Sequence, residues 1–187
     1  MLVERLSDQV AIETLAVRRG RDLHAEGVSV VSMGGATNIR KHLEAYGPSG
    51  VDVRLARLCD AGEEGSFRRG LEWAGLGAGL DRDAMEALGF YVCEADLEDE
   101  LIRALGPAVV EEIIGAQGEL RSLRTLQKQP AHLGRSPQAQ LRRFMGSRGG
   151  RKAHYARVLV EALDLTNVPR PLARLLAPII GDAPLRR

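Results

Sequence analysis

The chain has 187 residues, of which 44% are hydrophobic, 4% aromatic and 27% charged, and its formal net charge is +1. This length is enough for one globular domain with a real core. No apolar run approaches the ~20 residues that a membrane helix needs, and the acidic residues of the opening MLVERLSDQV do not fit a signal peptide. Cys59 and Cys93 each lie in an apolar segment, which argues against a disulfide framework and favours a reducing cytoplasm.

The small net charge is the sum of two unlike halves. Residues 1–120 hold 12 Lys+Arg against 22 Asp+Glu, a balance of −10, and residues 121–187 hold 14 against 3, a balance of +11. This asymmetry favours an acidic site beside an anion-binding surface; the alternative is two oppositely charged faces that pack on each other. Arginine outnumbers lysine 23 to 3, a bias that makes the arginine count alone a weak sign of nucleic-acid binding.

Short β-rich runs alternate with helical patterns in the first half of the chain. In chain order, hydrophobic periodicity predicts a strand at 1–3, a helix at 9–19, a strand at 28–33, a helix at 37–46, a strand at 53–59, helices at 64–74 and 81–88, a strand at 90–93 and a helix at 97–105. Strands that alternate with helices predict an α/β fold, with a parallel sheet covered by helices on both faces.

The β signal disappears after Gly106 and Pro107. Helical patterns then cover 108–117, 137–145, 152–163 and 171–180, joined by polar connectors that contain Gly or Pro. We therefore expect an α/β core over residues 1–106 and a helical, basic C-terminal extension over residues 107–187.

Acidic residues follow three of the predicted strands. Glu4 ends the first strand, Asp60 ends the third, and Asp96 and Glu98 follow the fourth; Asp8 lies in the first turn of the first helix, where Ser7 is a candidate cap. In parallel sheets, ligands collect at the carboxyl ends of the strands. Carboxylates that converge there repel one another unless a cation intervenes, and a donor set without paired Cys or His favours Mg²⁺ or Mn²⁺. Taken singly, each acid is better explained as a helix cap or a solvated loop residue, whereas four acids in phase with the strand ends favour a metal site.

Several segments resemble a known family. VERLSD at residues 3–8 resembles the V-E-G-x-S-D opening of a Toprim domain, the fold of type IA and II topoisomerases, bacterial primases and the nucleases of the OLD (overcoming lysogenization defect) family. VSMGGATN at 31–38, LCDAGEE at 58–64, DLEDEL at 96–101 and GRKAHYA at 150–156 are similar to the OLD branch, in the same order and at similar spacing.

The resemblance implies a two-metal nuclease site for Mg²⁺ or Mn²⁺. Its metal-binding carboxylates would be Glu4, Asp8, Asp60, Asp96 and Glu98. Lys152 matches the late lysine of these nucleases, a compact ammonium that can neutralise charge developing at the scissile phosphate. The expected catalytic residues are therefore Glu4, Asp60 and Lys152.

Two positions depart from the family pattern. Arg5 replaces the glycine that usually follows the first glutamate, and Gly62 stands where the second acid of the Toprim D-x-D is expected. Glu63 or Glu64 is a candidate replacement for the missing acid. These departures favour the alternative function, a catalytically impaired nucleic-acid-binding or regulatory Toprim module.

The segment 121–157 is rich in basic residues and contains no acid. We expect DNA phosphates to contact five of its side chains: Arg142, Arg143, Arg148, Arg151 and Lys152. Positive charge of this kind gives salt-dependent affinity without sequence readout. An amphipathic surface with coding-biased arginine is the alternative.

The sequence thus predicts metal-dependent phosphodiester hydrolysis, of the endonuclease or nickase type, by a Toprim domain without its own ATPase. The loop at 34–38 (GGATN) follows a strand and precedes a helix, and it is not a Walker A motif. This position fits either a phosphate-binding turn or a purely structural turn. Expected partners are DNA and either a separately encoded ATPase subunit or a second copy of the chain, in the cytoplasm and without a membrane.

Overall fold

The computed structural model describes residues 1–177, and these contain one four-stranded sheet. Its strands are β1 (Leu2–Val3), β2 (Val31–Ser32), β3 (Arg57–Cys59) and β4 (Phe90–Val92). They are all parallel and lie in the order β2-β1-β3-β4. The predicted α/β fold with a helix-covered parallel sheet is confirmed.

Helices make up most of the remaining structure. The α-helices are α1 (Leu6–Arg18), α2 (Ile39–Tyr46), α3 (Glu64–Trp73), α4 (Arg82–Ala87), α5 (Leu97–Leu105), α6 (Pro107–Ala116), α7 (Leu120–Gln127), α8 (Pro137–Met145), α9 (Arg151–Ala162) and α10 (Arg170–Leu175). Short 3₁₀ turns lie at Ala36–Asn38, Ala61–Glu63 and Pro130–His132. In the described part of the chain, no helix is long and apolar enough to cross a bilayer.

Helices α1, α7 and α10 depart most from the sequence prediction. Helix α1 begins three residues early because Arg5, not Ser7, is the N-cap, and the Asp8 side chain accepts the Arg5 backbone N–H at 2.9 Å. Helix α7 is absent from the sequence prediction, although its leucines recur every third residue in an otherwise polar segment, a spacing typical of one helix face. Helix α10 ends at Leu175, and the last three residues of the predicted helix at 171–180 lie outside the described residues.

The strands β2 and β3 are shorter than predicted. Central β1 has only two residues, so it can pair with only a few residues of each neighbour. The start of the predicted third strand therefore extends past the end of its partner, and Val53 is 46% exposed.

Each face of the sheet carries a separate apolar layer, because neighbouring residues of a strand point to opposite faces. Val3 and Leu58 pack with α1, α5 and α9, whereas Leu2 and Cys59 pack with α2, α3 and α4. The first layer also includes Phe144 from α8. The helices after residue 106 therefore share a hydrophobic core with α1 and α5.

The strand order fixes where the acids lie. Strands β1, β3 and β4 are neighbours, so their carboxyl ends meet at one edge of the sheet. Glu4 follows β1 directly, Asp60 follows β3 directly, and Asp96 is the N-cap of α5 just after β4.

Candidate active site

Glu4 is a buried carboxylate with one free oxygen. Its side chain is 5% exposed, and its Oε1 lies 3.0 Å from Arg5 Nε. Its Oε2 is buried and has no hydrogen-bond partner among the described residues. A buried carboxylate oxygen left unpaired in this way is costly, and it is a natural ligand for a hard cation.

The glycine turn after β2 holds the backbone of Glu4. Gly34 and Gly35 have φ of +71° and +132°, values that an L side chain rarely adopts. This conformation lets Gly35 N–H donate to Glu4 O at 3.2 Å, and the Asn38 side chain donates to Met33 O at 2.8 Å. These contacts are those of a structural turn that positions Glu4.

Asp8 and Asp60 are electrostatically coupled to the other acids. Burial raises the pKa of Asp8 to about 6, helped by the charges of Glu98 and Glu4 and opposed by the Arg5 N–H. Burial also raises the pKa of Asp60 to about 7, and Asp8, Glu4, Asp96 and Glu98 raise it further. The other four predicted metal-binding carboxylates therefore all lie within Coulombic reach of Asp60.

The beginning of α5 supplies the last two acids, and each is paired with a cation from the C-terminal helices. Asp96 Oδ1 accepts the N–H of Asp99 at 2.9 Å and caps the helix, while its Oδ2 lies 2.5 Å from Arg142 Nη2. Glu98, with a side chain that is 7% exposed, accepts from Lys152 Nζ at 3.1 Å. The fold thus brings Lys152 beside the acids, although 54 residues separate it from Glu98.

The donor chemistry fits Mg²⁺ or Mn²⁺, although the ligands are not fully assembled. Within residues 1–177, no three acidic, His or Cys side chains are grouped as a ready ligand set. Glu4, Asp96 and Glu98 each bind a cation of this chain instead. A hard-cation site is supported by the buried Oε2 of Glu4, which has no partner among the described residues. It lies close to the Asp60 carboxyl, whose pKa is raised.

The two candidates for the missing acid at Gly62 lie in the turn after Asp60 and at the start of α3. Glu64 Oε2 accepts from Arg82 Nε at 2.9 Å, which ties Glu64 to the start of α4.

Arg57 is a feature of the site that the sequence did not indicate. It is fully buried in β3, with its guanidinium carbon 3.6 Å from the centre of the Phe67 ring. Its Nη1 lies 2.7 Å from Met33 Sδ, and its Nη2 has no partner among the described residues. Burial lowers the pKa of Arg57 to about 10, and the nearby Cys59 thiol and the carboxylates of Glu4, Asp8 and Asp60 act in the opposite direction. An arginine in an otherwise apolar strand is expected to face solvent. The sequence pattern therefore gives no indication that Arg57 is buried.

Four of the five predicted phosphate-binding side chains face solvent at least in part. Arg143 and Arg148 are exposed, and Arg142 and Lys152 are partly exposed next to Asp96 and Glu98. These four side chains, which we call the basic rim, lie on α8, the following turn and the start of α9.

Arg151 differs from the prediction because its side chain is enclosed. It is 6% exposed, its guanidinium lies 4.1 Å from the centre of the Phe144 ring, and its Nη2 donates to Glu119 Oε1 at 2.6 Å. Tyr155 donates to the other oxygen of Glu119 at 2.9 Å. Arg151 therefore holds α8 and α9 to the start of α7 and does not belong to the basic rim.

Comparisons with known proteins agree with this architecture. The family model described as overcoming lysogenization defect protein-like, TOPRIM domain, matches residues 1–61. No curated protein matches the chain. The C-terminal region of the Burkholderia pseudomallei OLD protein is similar, with a TM-score of 0.70 at 21% identity, over 93% of this chain and 92% of that one. The C-terminal region of the Xanthomonas campestris pv. campestris OLD protein gives a TM-score of 0.70 at 22% identity, over 93% and 89% of the two chains.

The family model and the structural likeness cover different shares of the chain and are consistent with one another. The model covers the segment that contains Glu4, Asp8 and Asp60, and the structures extend the likeness through the C-terminal helices. The resemblance in the sequence is thereby confirmed: residues 1–61 match the OLD-type Toprim model, and the fold is shared with the C-terminal regions of OLD proteins.

Proposed function

We propose that this protein hydrolyses DNA phosphodiesters with Mg²⁺ or Mn²⁺, in the manner of an endonuclease or nickase. The observation that supports the proposal is that Asp60 lies within Coulombic reach of Glu4, Asp8, Asp96 and Glu98 at the carboxyl ends of β1, β3 and β4, with Lys152 paired to Glu98. A divalent ion bound there would supply a nucleophilic water at neutral pH and stabilise the leaving oxygen.

The residues of the site divide this work. Glu4 and Asp60 offer the oxygens least engaged by other groups, and Asp8, Asp96 and Glu98 surround them. A two-ion arrangement would draw on several of these carboxylates. Glu98 holds Lys152 Nζ at the edge of the cluster, from which it can neutralise charge on the scissile phosphate.

The basic rim would bring the DNA backbone to the acids. Carboxylates alone repel phosphate, whereas the partly exposed Arg142 and Lys152 lie against them and the exposed Arg143 and Arg148 extend the positive surface outward. Such contacts position the backbone and do not read base sequence. An ATPase subunit or a second copy of the chain remains part of the proposal as a partner.

Plasmid nicking tests the proposal. Supercoiled plasmid is incubated with the protein and Mg²⁺ or Mn²⁺, beside Glu4→Gln and Asp60→Asn, which remove charge with little change of shape. Glu161→Gln and Asp83→Asn are matched controls on exposed residues elsewhere. We expect nicking by the native chain and both controls, and loss of at least about a hundredfold in each site variant. Nicking that survives in both site variants would place the chemistry elsewhere.

Two observations favour a second candidate, a nucleic-acid-binding Toprim module without hydrolysis. Arg5 already occupies one oxygen of Glu4, and Gly62 leaves Asp60 without the second acid of its motif. DNA binding in the presence of Mn²⁺, with no cleavage by the native chain, would support this candidate over the nuclease.

A further inference from the structure

We propose that Arg5 is an internal counter-ion of the acidic cluster, which a divalent cation must displace from Glu4 in order to bind. This inference rests on the proposed metal site and describes its regulation. It makes Arg5 a determinant of metal affinity, so that the site fills only at higher concentrations of the free ion than its carboxylates alone would require.

The contact between Arg5 and Glu4 is anchored on one side and open on the other. The Glu4 carboxylate is 5% exposed, whereas the Arg5 side chain is 56% exposed, and the two meet at 3.0 Å between Nε and Oε1. The guanidinium can thus swing into solvent by rotation of its own side chain, while Glu4 stays in place. When the guanidinium moves away, both carboxylate oxygens of Glu4 are open, because Oε2 has no partner among the described residues.

The backbone of Arg5 is held independently of this contact. Arg5 is the N-cap of α1, and its backbone N–H donates to Asp8 Oδ2 at 2.9 Å. The Arg5 side chain therefore starts from a backbone position between two of the proposed ligands, Glu4 and Asp8. Substitution of the side chain keeps the cap, so the start of α1 does not depend on the guanidinium.

Arg5 also lies within Coulombic reach of several acids of the cluster besides Glu4. The charges of Glu4, Asp60, Asp8 and Glu98 all raise its pKa. Of the other nearby cations in the described residues, Lys152 binds Glu98, Arg142 binds Asp96, and Arg57 is enclosed behind the sheet edge. Arg5 thus places a positive charge in the region where a metal ion would be attracted by the same carboxylates.

A protein cation that pairs with a metal's ligands weakens metal binding in two ways. The pair with Glu4 must break, and a like charge must move away from the incoming ion. Replacement of Arg5 by Met keeps the aliphatic stem and removes the charge, and we expect Mn²⁺ to bind roughly tenfold more tightly. Arg5→Lys keeps the charge and should stay within about threefold of the native chain.

The test is Mn²⁺ titration of the metal-free chain, followed by calorimetry and by the rise in unfolding temperature at low ionic strength. Arg82→Met is the matched control, since the Arg82 side chain is 53% exposed and pairs with Glu64 outside the cluster; its Mn²⁺ affinity should equal that of the native chain. In a Glu4→Gln background, Arg5→Met should tighten binding by a smaller factor, because the pair with Glu4 has gone and only the like-charge repulsion remains.

The outcomes separate this inference from the proposed function. Tighter binding by Arg5→Met than by Arg5→Lys supports the inference. Equal or weaker binding by Arg5→Met overturns it, while Mn²⁺ binding by the native chain still upholds the metal site. No Mn²⁺ binding by the native chain, Arg5→Lys or Arg5→Met overturns both.

Discussion

Asp60→Asn should stabilise the metal-free protein at neutral and alkaline pH. Asp60 follows β3 at the centre of the acidic cluster, and its side chain accepts no hydrogen bond from the described residues. Asparagine has nearly the same shape and no charge, so the substitution removes repulsion and desolvation without breaking a contact.

The magnitude follows from the pKa of Asp60, which rises from an ordinary 3.8 to about 7 in the fold. At about 1.4 kcal/mol per pH unit between the folded and unfolded values, the full effect is about 4 kcal/mol. Because Asp60 is only half-buried, solvent screens part of it, and we expect about 2 kcal/mol. For a chain of this length, that raises the unfolding temperature by about 4–8 °C.

The gain must depend on pH with a definite sign. The folded pKa of Asp60 is raised, so between about pH 4 and pH 7 the folded state binds more protons than the unfolded state, and the stability of the native chain falls as pH rises. Asp60→Asn escapes this loss. Its advantage should be full at about pH 8, less than half as large at about pH 5, and almost absent near pH 4.

Unfolding in denaturant with EDTA, at about pH 8 and about pH 5, measures this difference. Asp96→Asn is the matched control: it loses the 2.5 Å pair with Arg142 and should bring no gain at either pH. Destabilisation by Asp60→Asn at about pH 8, or an equal gain at both pH values, would refute the argument that buried, mutually repelling carboxylates destabilise the metal-free fold.

Three other outcomes are expected. Mn²⁺ at a hundredfold excess over its dissociation constant should stabilise the native chain by about 2.7 kcal/mol, or roughly 5–10 °C, and Glu4→Gln should remove most of this thermal shift. DNA affinity should fall steeply as salt rises in a filter-binding assay, and the double substitution Arg143→Ala/Arg148→Ala should lower the log–log slope by about 2, whereas an unchanged slope would remove both residues from the DNA surface. Arg151→Ala should destabilise the fold by about 2–3 kcal/mol in denaturant unfolding, because it removes the enclosed partner of the partly exposed Glu119, and a loss below about 1 kcal/mol would show that the enclosed pair adds no more than an exposed one.

The elements that the sequence predicted well are those with a strong local signal. Helix α5 has an Asp cap, three acids in its first turn and a glycine end, and its predicted bounds match Leu97–Leu105. The positions of Glu4 and Asp60 followed from strand periodicity together with the rule that parallel strands end at one edge. Strand lengths were overestimated because the length of a ladder depends on its partner, and β1 offers only two residues.

The interior charges needed tertiary information. Arg57 and Arg151 are both arginines in sequences that suit either a surface or an interior position, and the fold encloses each against a phenylalanine ring, Phe67 and Phe144 respectively. Nothing local distinguishes Arg151 from the exposed Arg148. What separates them is Glu119, which lies 32 residues earlier in the sequence than Arg151 and beside it in space.

The opposite charges of the two halves of the chain meet at the site itself. Asp96 with Arg142 and Glu98 with Lys152 each join an acid from residues 1–120 to a base from residues 121–187. The two explanations of the charge asymmetry, an acidic site beside a basic surface and two oppositely charged faces that pack together, therefore both apply at these pairs.

These pairs have an electrostatic consequence. The carboxylates that would hold a metal are already partly neutralised by cations of the same chain. Metal binding must then release some of those cations, and a released Arg142 or Lys152 would stand next to the acids and free to bind phosphate. We therefore expect metal and DNA to bind with positive coupling, so that Mn²⁺ tightens DNA binding and DNA tightens Mn²⁺ binding by the same factor.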